Sequence, residues 1–167
     1  ERHRGILSER VDGKIFGALR LAYEYTVFYG LWSVFGLSSL LLSLPAAILY
    51  PLLPKKIGEA LGQFMIMAGF RYFVGAMKVS GIVKCDLTDL DTLRNETSVV
   101  IAPNHPSLLD AVLIISRLSN VVCIAKPEIW DNWFLGAGAR LAGFIRNDAP
   151  VRLVKRAAER THAGRHL

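Results

Sequence analysis

A run of thirty residues without a single charge, from Tyr25 to Pro54, constrains the fold of this chain more than any other feature. Soluble helices rarely lack charges over such a length, and about 18 apolar residues already indicate insertion into a bilayer. Fourteen of the thirty residues are Leu, Ile, Val or Phe. At central positions of the bilayer they contribute roughly −4 to −8 kcal/mol to insertion. The run therefore predicts contact with a membrane.

The topology of this run has two alternatives. One continuous helix of thirty residues would be about 45 Å long, against a hydrocarbon core of roughly 30 Å. Pro45 and Pro51 are expected to break or kink such a helix. Basic residues flank the run on both sides, namely Arg10, Lys14, Arg20, Lys55 and Lys56. Because basic flanks favour the cytoplasmic side, we expect a bent two-helix insert that enters one leaflet. The alternative is a single span over Tyr25–Leu44.

The next segment, Ile57 to Val79, has the pattern of an amphipathic helix. Apolar side chains recur near steps of three and four residues; they are Leu61, Phe64, Met65, Ala68 and Tyr72. Such a helix either lies on the membrane or covers the domain that follows. We therefore divide the chain into N-terminal membrane-associating helices, residues 1–76, and the front part of a second domain, residues 77–167.

The second half of the chain alternates between strand-like and helix-like patterns. The runs "MKVSGIVKCDL", "SVVIAP", "NVVCIAK" and "FIRND" read as strands, whereas "SLLDAVLIISRL" and "PVRLVKRAAER" read as helices, the last with Pro150 in its first turn. This alternation predicts an α/β fold with a mixed, mainly parallel sheet flanked by helices.

Charge and cysteine content narrow the class of partner. A net charge of +6 together with 52% hydrophobic residues favours an anionic membrane or an anionic substrate. Basic residues do not alternate with aromatic ones, which argues against nucleic acid. Cys85 and Cys123 have neither the spacing of a metal site nor the number of a disulfide scaffold. We expect both to be buried thiols.

The segment "NHPSLLD", residues 104–110, contains the candidate catalytic residues. A carboxylate at Asp110 that contacts one nitrogen of His105 would fix the tautomer of the ring, and the other nitrogen would then accept a proton from a hydroxyl. The alternative is that Asn104 or Ser107 caps the helix and His105 is an ordinary boundary histidine. Ser107 lacks the G-x-S-x-G surroundings of a hydrolase nucleophile. The glycine run "GAGARLAG" lacks the third glycine of a dinucleotide site.

These features together resemble the glycerolipid acyltransferases typified by bacterial 1-acylglycerol-3-phosphate acyltransferase. "NHPSLLD" is similar to the first signature block of that family, N-H-x4-D, and "NVVCIAKPEIWDNWFLGAGARLAGFIRND" is similar to the segment that leads into the second block. The N-terminal apolar helices also resemble the membrane insert of these enzymes. The resemblance covers roughly Tyr25 to Gly164.

The resemblance implies transfer of a fatty acyl group from acyl-carrier protein (acyl-ACP) or acyl-CoA to a hydroxyl of a lysophospholipid. It implies that His105 is the general base and Asp110 its orienting carboxylate, without an acyl-enzyme, a cofactor or a metal. Asn104 and Ser107 match the block and are expected to support the site. Arg146 is the candidate contact for the phosphate of the acceptor, although it directly follows Phe144-Ile145, where the family has one intervening residue. Lys126 either faces the thioester donor or is simply solvated.

The third signature block of the family, Phe-Pro-Glu-Gly-Thr-Arg, does not occur between Arg146 and Leu167. We therefore expect weak or no activity from these 167 residues alone. The alternative function is a non-catalytic, membrane-attached remnant or interaction module of the same fold. By resemblance, the expected partners are membrane phospholipids, the lysophospholipid acceptor and the acyl donor. The expected location is the cytoplasmic face of a bacterial inner membrane.

Overall fold

The computed structural model of the chain describes residues 2–96, 98–104, 109–133 and 135–167, with side chains described from residue 15 onward. This part of the chain is mostly helical. Its elements, in chain order, are helices α1 (Arg2–Leu52), α2 (Lys55–Val79) and α3 (Thr88–Thr92), a 3₁₀ turn (Leu93–Asn95), helix α4 (Leu109–Arg117), strand β1 (Ile124–Ala125), helices α5 (Pro127–Trp130) and α6 (Gly136–Leu141), strand β2 (Ile145–Arg146) and helix α7 (Pro150–His162).

Helix α1 continues without interruption through Pro45 and Pro51. The prediction of two helices within Tyr25–Pro54 is therefore wrong. A proline removes one hydrogen bond from a helix, but a neighbouring helix that packs against the same turn compensates for the loss. Here Ala46 and Leu49 pack against helix α6. The stretch Ile15–Leu52 is long and apolar enough to cross a membrane, and most of its surface is exposed.

Helices α1 and α2 form an antiparallel hairpin with its turn at Leu53-Pro54. The N–H of Gly58 donates a hydrogen bond to the carbonyl of Pro54 at 3.0 Å, which starts α2 directly after the turn. At the open end of the hairpin, the hydroxyl of Tyr23 donates to the carbonyl of Ser80 at 3.3 Å. Aromatic rings hold the middle of the hairpin; they belong to Trp32, Phe35, Phe70 and Phe73.

The inner face of α2 forms the core with the second half of the chain. Phe73, Val74 and Met77 are buried together with Val112 of α4. The predicted amphipathic helix is therefore confirmed. Of its two alternatives, the structure shows the one in which the helix covers the following domain. The predicted strand "MKVSGIVKCDL" is wrong, because residues 77–79 complete α2 and residues 80–87 form no strand. The domain boundary at residues 76/77 stays a prediction.

Strands β1 and β2 form a parallel pair, with Ile124 opposite Ile145 and Ala125 opposite Arg146. The expected α/β architecture is confirmed only in this coarse sense, since the strands are short. The predicted helices in "SLLDAVLIISRL" and "PVRLVKRAAER" correspond to α4 and α7, and Pro150 lies in the first turn of α7 as expected.

Two further extended segments, 99–101 and 166–167, continue the sheet on the side of the residues that precede β1. The N–H of Leu167 donates to the carbonyl of Val99 at 2.9 Å, and the N–H of Ile101 donates to the carbonyl of Leu167 at 2.7 Å. This pattern is that of neighbouring parallel strands. On its other side, His166 forms a parallel bridge with Val121, just before β1. The order across the sheet is thus 99–101, 166–167, 121–125 and 145–146, with all four segments parallel.

A buried ion pair ties α2 to α7. Glu59 is 7% exposed, and Arg160 donates to its two carboxylate oxygens at 2.7 and 2.8 Å. These hydrogen bonds raise the pKa of Arg160 above its ordinary value. Gly143 has a φ of +69° and lies so close to Glu59 that a β-carbon there would come within 2.7 Å of the carboxylate carbon. The pair therefore fixes the hairpin against the C-terminal helix.

Candidate functional site

The parallel direction of the four segments defines two edges of the sheet. Residues that follow the segments lie at its carboxyl edge, and residues that precede them lie at its amino edge. In open α/β sheets, ligands bind in the crevice outside the carboxyl ends of the strands. Asn104 follows the segment 99–101, Lys126 follows β1, and Arg146 ends β2. The structure therefore places these three candidate residues at the carboxyl edge.

The first signature block joins the segment 99–101 to helix α4. Asn104 is exposed, and Asp110 is half-buried in the first turn of α4. His105 and Ser107 lie outside the described residues, so their placement and their contact with Asp110 stay predictions. The described flanks agree with the predicted position of the block between an extended segment and a helix.

Lys126 occupies the N-cap position of helix α5. Its backbone carbonyl accepts hydrogen bonds from the N–H groups of Ile129 and Trp130, both at 3.1 Å. The side chain of Lys126 is exposed. It is thus available at the carboxyl edge to an anionic group, whereas its role toward the donor stays a prediction.

Arg146 is held by two carboxylates that the sequence did not reveal. One guanidinium nitrogen is 2.5 Å from Asp131, and another is 3.6 Å from Asp148. Asp148 also lies 3.6 Å from Arg152. Since Asp131 follows α5 and Asp148 follows β2, the contact depends on the conformation of two loops. A phosphate bound by Arg146 would have to share it with these carboxylates.

Inside the sheet, Cys123 contributes to the hydrophobic layer below the site. Burial raises the pKa of its thiol from 9.0 to about 11. Cys123 and Cys85 are both half-buried and free, so the expectation of buried thiols is met only in part. Within the described ranges, no group of three or more His, Cys, Asp and Glu side chains has the arrangement of a metal site.

Comparison with known proteins supports the resemblance seen in the sequence. Residues 84–166, about half of the chain, match the family model described as Acyltransferase. The matched segment contains the block 104–110 together with β1, β2 and α7. Comparison with curated proteins and with solved structures gives no significant match. Through residues 84–166, the chain belongs to the acyltransferase family that includes 1-acylglycerol-3-phosphate acyltransferase.

Proposed function

We propose that this protein transfers a fatty acyl group from acyl-ACP or acyl-CoA to a hydroxyl of a lysophospholipid such as 1-acylglycerol-3-phosphate. The observation that carries the proposal is the family match, which spans the block 104–110. The position of Asn104, Lys126 and Arg146 at one edge of the sheet supports it, because a donor and an acceptor would meet there.

The proposed reaction has one chemical step assisted by two side chains. The unprotonated ring nitrogen of His105 takes the proton of the acceptor hydroxyl, and Asp110 stabilises the resulting imidazolium. The hydroxyl oxygen attacks the thioester carbonyl, the new ester bond forms and the carbon–sulfur bond breaks. The proton then passes from His105 to the departing thiolate, which leaves as a thiol.

The remaining candidates have binding roles in this proposal. Arg146 contacts the phosphate of the acceptor, in exchange with Asp131, and Lys126 faces an anionic part of the donor. Asn104 and Ser107 support the block around His105. Guanidinium and ammonium groups bind phosphate strongly because their hydrogen bonds are charge-assisted.

The helical hairpin explains how a lipid acceptor would reach this site. Helix α2 packs directly on α4, the helix that carries Asp110, through Phe73, Val74 and Met77. On its other side α2 contacts α1, whose exposed surface is apolar. We infer that the hairpin holds the carboxyl edge near the surface of a membrane, where the acceptor hydroxyl is accessible. The cytoplasmic face of a bacterial inner membrane is the proposed location.

The proposal is tested by assaying the purified chain with acyl-CoA or acyl-ACP and 1-acylglycerol-3-phosphate in micelles. We expect His105→Ala and Asp110→Asn to reduce product formation by roughly 10²–10⁴-fold, the contribution of a general base. His162→Ala is the control, since His162 is an exposed histidine on α7. Equal rates above the uncatalysed background in all variants would refute the assigned roles.

The same variants distinguish the enzyme from a non-catalytic module. If the protein is an acyltransferase, cells that carry His105→Ala or Asp110→Asn should change their phospholipid composition in the same way as cells that lack the protein. A module without activity would give an unchanged composition in both variants.

A further inference from the structure

A second cluster of basic side chains lies at the amino edge of the sheet, opposite the signature block. Asn120 precedes the segment 121–125, and His166 forms the first bridge with it. A pocket of about 260 Å³ opens here. It is lined by Met67, Arg71, Arg94, Arg117, Leu118, Ser119, Asn120 and His166. Six residue steps separate Asn120 from Lys126, so this pocket is roughly 20 Å from the carboxyl edge.

The arginines of this pocket come from three different elements and carry an excess of positive charge. Arg71 belongs to α2, Arg94 to the 3₁₀ turn, and Arg117 ends α4. A single carboxylate, Asp91, pairs with two of them, lying 3.1 Å from Arg94 and in contact with Arg117. Arg71 has neither an ion pair nor a hydrogen bond to any residue that the structure describes. None of the described lining residues carries a carboxylate.

One buried hydrogen-bond donor at the pocket, the Nε of Arg117, lacks a partner within the described ranges. Such a buried charged donor is energetically unfavourable unless a ligand or a water molecule accepts a hydrogen bond from it. The Oδ1 of the neighbouring Asp91 is also buried and accepts no hydrogen bond within the described ranges, although it lies 3.1 Å from Arg94. His166 is buried, and its Nδ1 accepts from the N–H of Val99 at 3.4 Å. The neutral ring therefore carries its proton on Nε2, which is a further donor.

We propose that this pocket is an anion site that binds a phosphate monoester group. Guanidinium groups match the oxygens of phosphate in charge and in geometry, and two uncompensated positive charges suit a doubly charged group. The volume lies just below the range of about 300–1,000 Å³ typical of larger ligands. The phosphate belongs either to a small soluble ester or to a lipid head group at the surface of the hairpin. The site is separate from the candidate acceptor contact at Arg146.

The test measures binding to the intact chain in neutral detergent by titration calorimetry. One arm uses inorganic phosphate and the other uses phosphatidic acid in mixed micelles. We expect Arg71→Gln to raise the Kd about tenfold, since a hydrogen bond to a charged group is lost. Arg117→Gln should have a similar effect, but it also breaks the contact with Asp91. Arg71→Gln is therefore the decisive variant.

One control variant separates this pocket from other exposed positive charges. Lys78→Gln removes one exposed positive charge from the same helix. It should not change the Kd for inorganic phosphate. Phosphatidic acid binding that depends on Arg71, without binding of inorganic phosphate, would assign the site to a lipid. The proposal is overturned if neither ligand binds, or if Arg71→Gln affects binding no more than Lys78→Gln.

Discussion

Cys123 shows how a single residue reports on the layer beneath the candidate site. Its thiol packs with the buried Ile115, Leu118 and Val121, and burial raises its pKa from 9.0 to about 11. Only the thiolate reacts with alkylating reagents. At about pH 8, we expect iodoacetamide to modify Cys123 roughly a hundredfold more slowly in the folded chain than in the unfolded chain. Mass spectrometry of a Cys85→Ser variant would isolate this rate, and equal rates in the two states would contradict the prediction.

The same shift in the pKa of Cys123 makes stability depend on pH in a defined window. Below pH 9.0 the thiol is protonated in both states, and its contribution to the free energy of unfolding is fully present. As the pH rises from 9.0 to about 11, the unfolded chain loses the proton first, so this contribution declines. Replacing Cys123 by Ser should therefore flatten the decline in this window.

Arg146 illustrates what one residue's sequence context leaves open. Its place after Phe144-Ile145 predicts a position at the end of a strand, and the structure confirms that position. Its two partners, Asp131 and Asp148, are set by loops whose conformation no local pattern specifies. Any role of Arg146 toward phosphate therefore depends on how readily a phosphate replaces these carboxylates as the partner of the guanidinium group.

At the scale of elements, the contact between α2 and the end of α6 depends on the absence of a side chain. A β-carbon added at Gly62 would lie 2.6 Å from the backbone nitrogen of Ala142. The adjacent Gln63 fixes the same contact, since its Nε2 donates to the carbonyl of Ala142 at 3.1 Å. The two backbones therefore cannot separate without breaking this hydrogen bond.

We expect Gly62→Ala to lower the free energy of unfolding by about 1–3 kcal/mol, because overpacking forces a backbone shift. Gly75 provides the matched control: it lies on the same helix, and nothing lies within 4 Å of a β-carbon built there. Gly75→Ala should stabilise the chain by roughly 0.5–1 kcal/mol through helix propensity. Urea unfolding in micelles, followed by circular dichroism, measures both. Similar values for the two variants would show that α2 and α6 are not in tight contact.

The elements that could be predicted from the sequence are those with a strong local signal. Periodicity identifies α2, α4 and α7, and the apolar runs identify β1 and β2. The strand predicted from Met77 onward failed because tertiary packing overrides local preference: Met77 is buried beside Val112 and extends the apolar face of α2. The helix break predicted from the prolines of α1 failed for a similar reason, since contact with α6 supports the turn that contains Pro45.

At the scale of the whole molecule, the two basic sites differ in how far the sequence reveals them. The signature block is contiguous, so its residues are recognisable together. The amino-edge pocket draws Arg71, Arg94, Arg117 and His166 from segments that span almost a hundred residues. The packing of α2 on α4, together with the parallel arrangement of the segments 99–101, 121–125 and 166–167, brings these side chains to one edge. Such a site follows from topology, which local patterns do not specify.

The membrane contact of the whole molecule depends on the exposed apolar face of α1. Leu37 lies near the middle of Ile15–Leu52 and is 61% exposed, whereas Val154 on the basic helix α7 is 67% exposed. A lysine within a membrane-embedded helix costs about 3 kcal/mol relative to leucine, or roughly a hundredfold in partition. We therefore expect Leu37→Lys to reduce binding to neutral vesicles by up to this factor.

Val154→Lys is the matched control for this prediction, because it adds the same charge at a similar exposure but outside the apolar run. Sedimentation with neutral phosphatidylcholine vesicles should show little change for this variant. Neutral lipid is needed, since α7 also carries Arg152, Lys155 and Arg156, whose attraction to anionic lipid would add to the signal. If both variants lost binding equally, the apolar face of α1 would not be what attaches the molecule to the membrane. Loss in Leu37→Lys alone would assign the attachment to the apolar face of the hairpin, against which the helix that carries Asp110 packs.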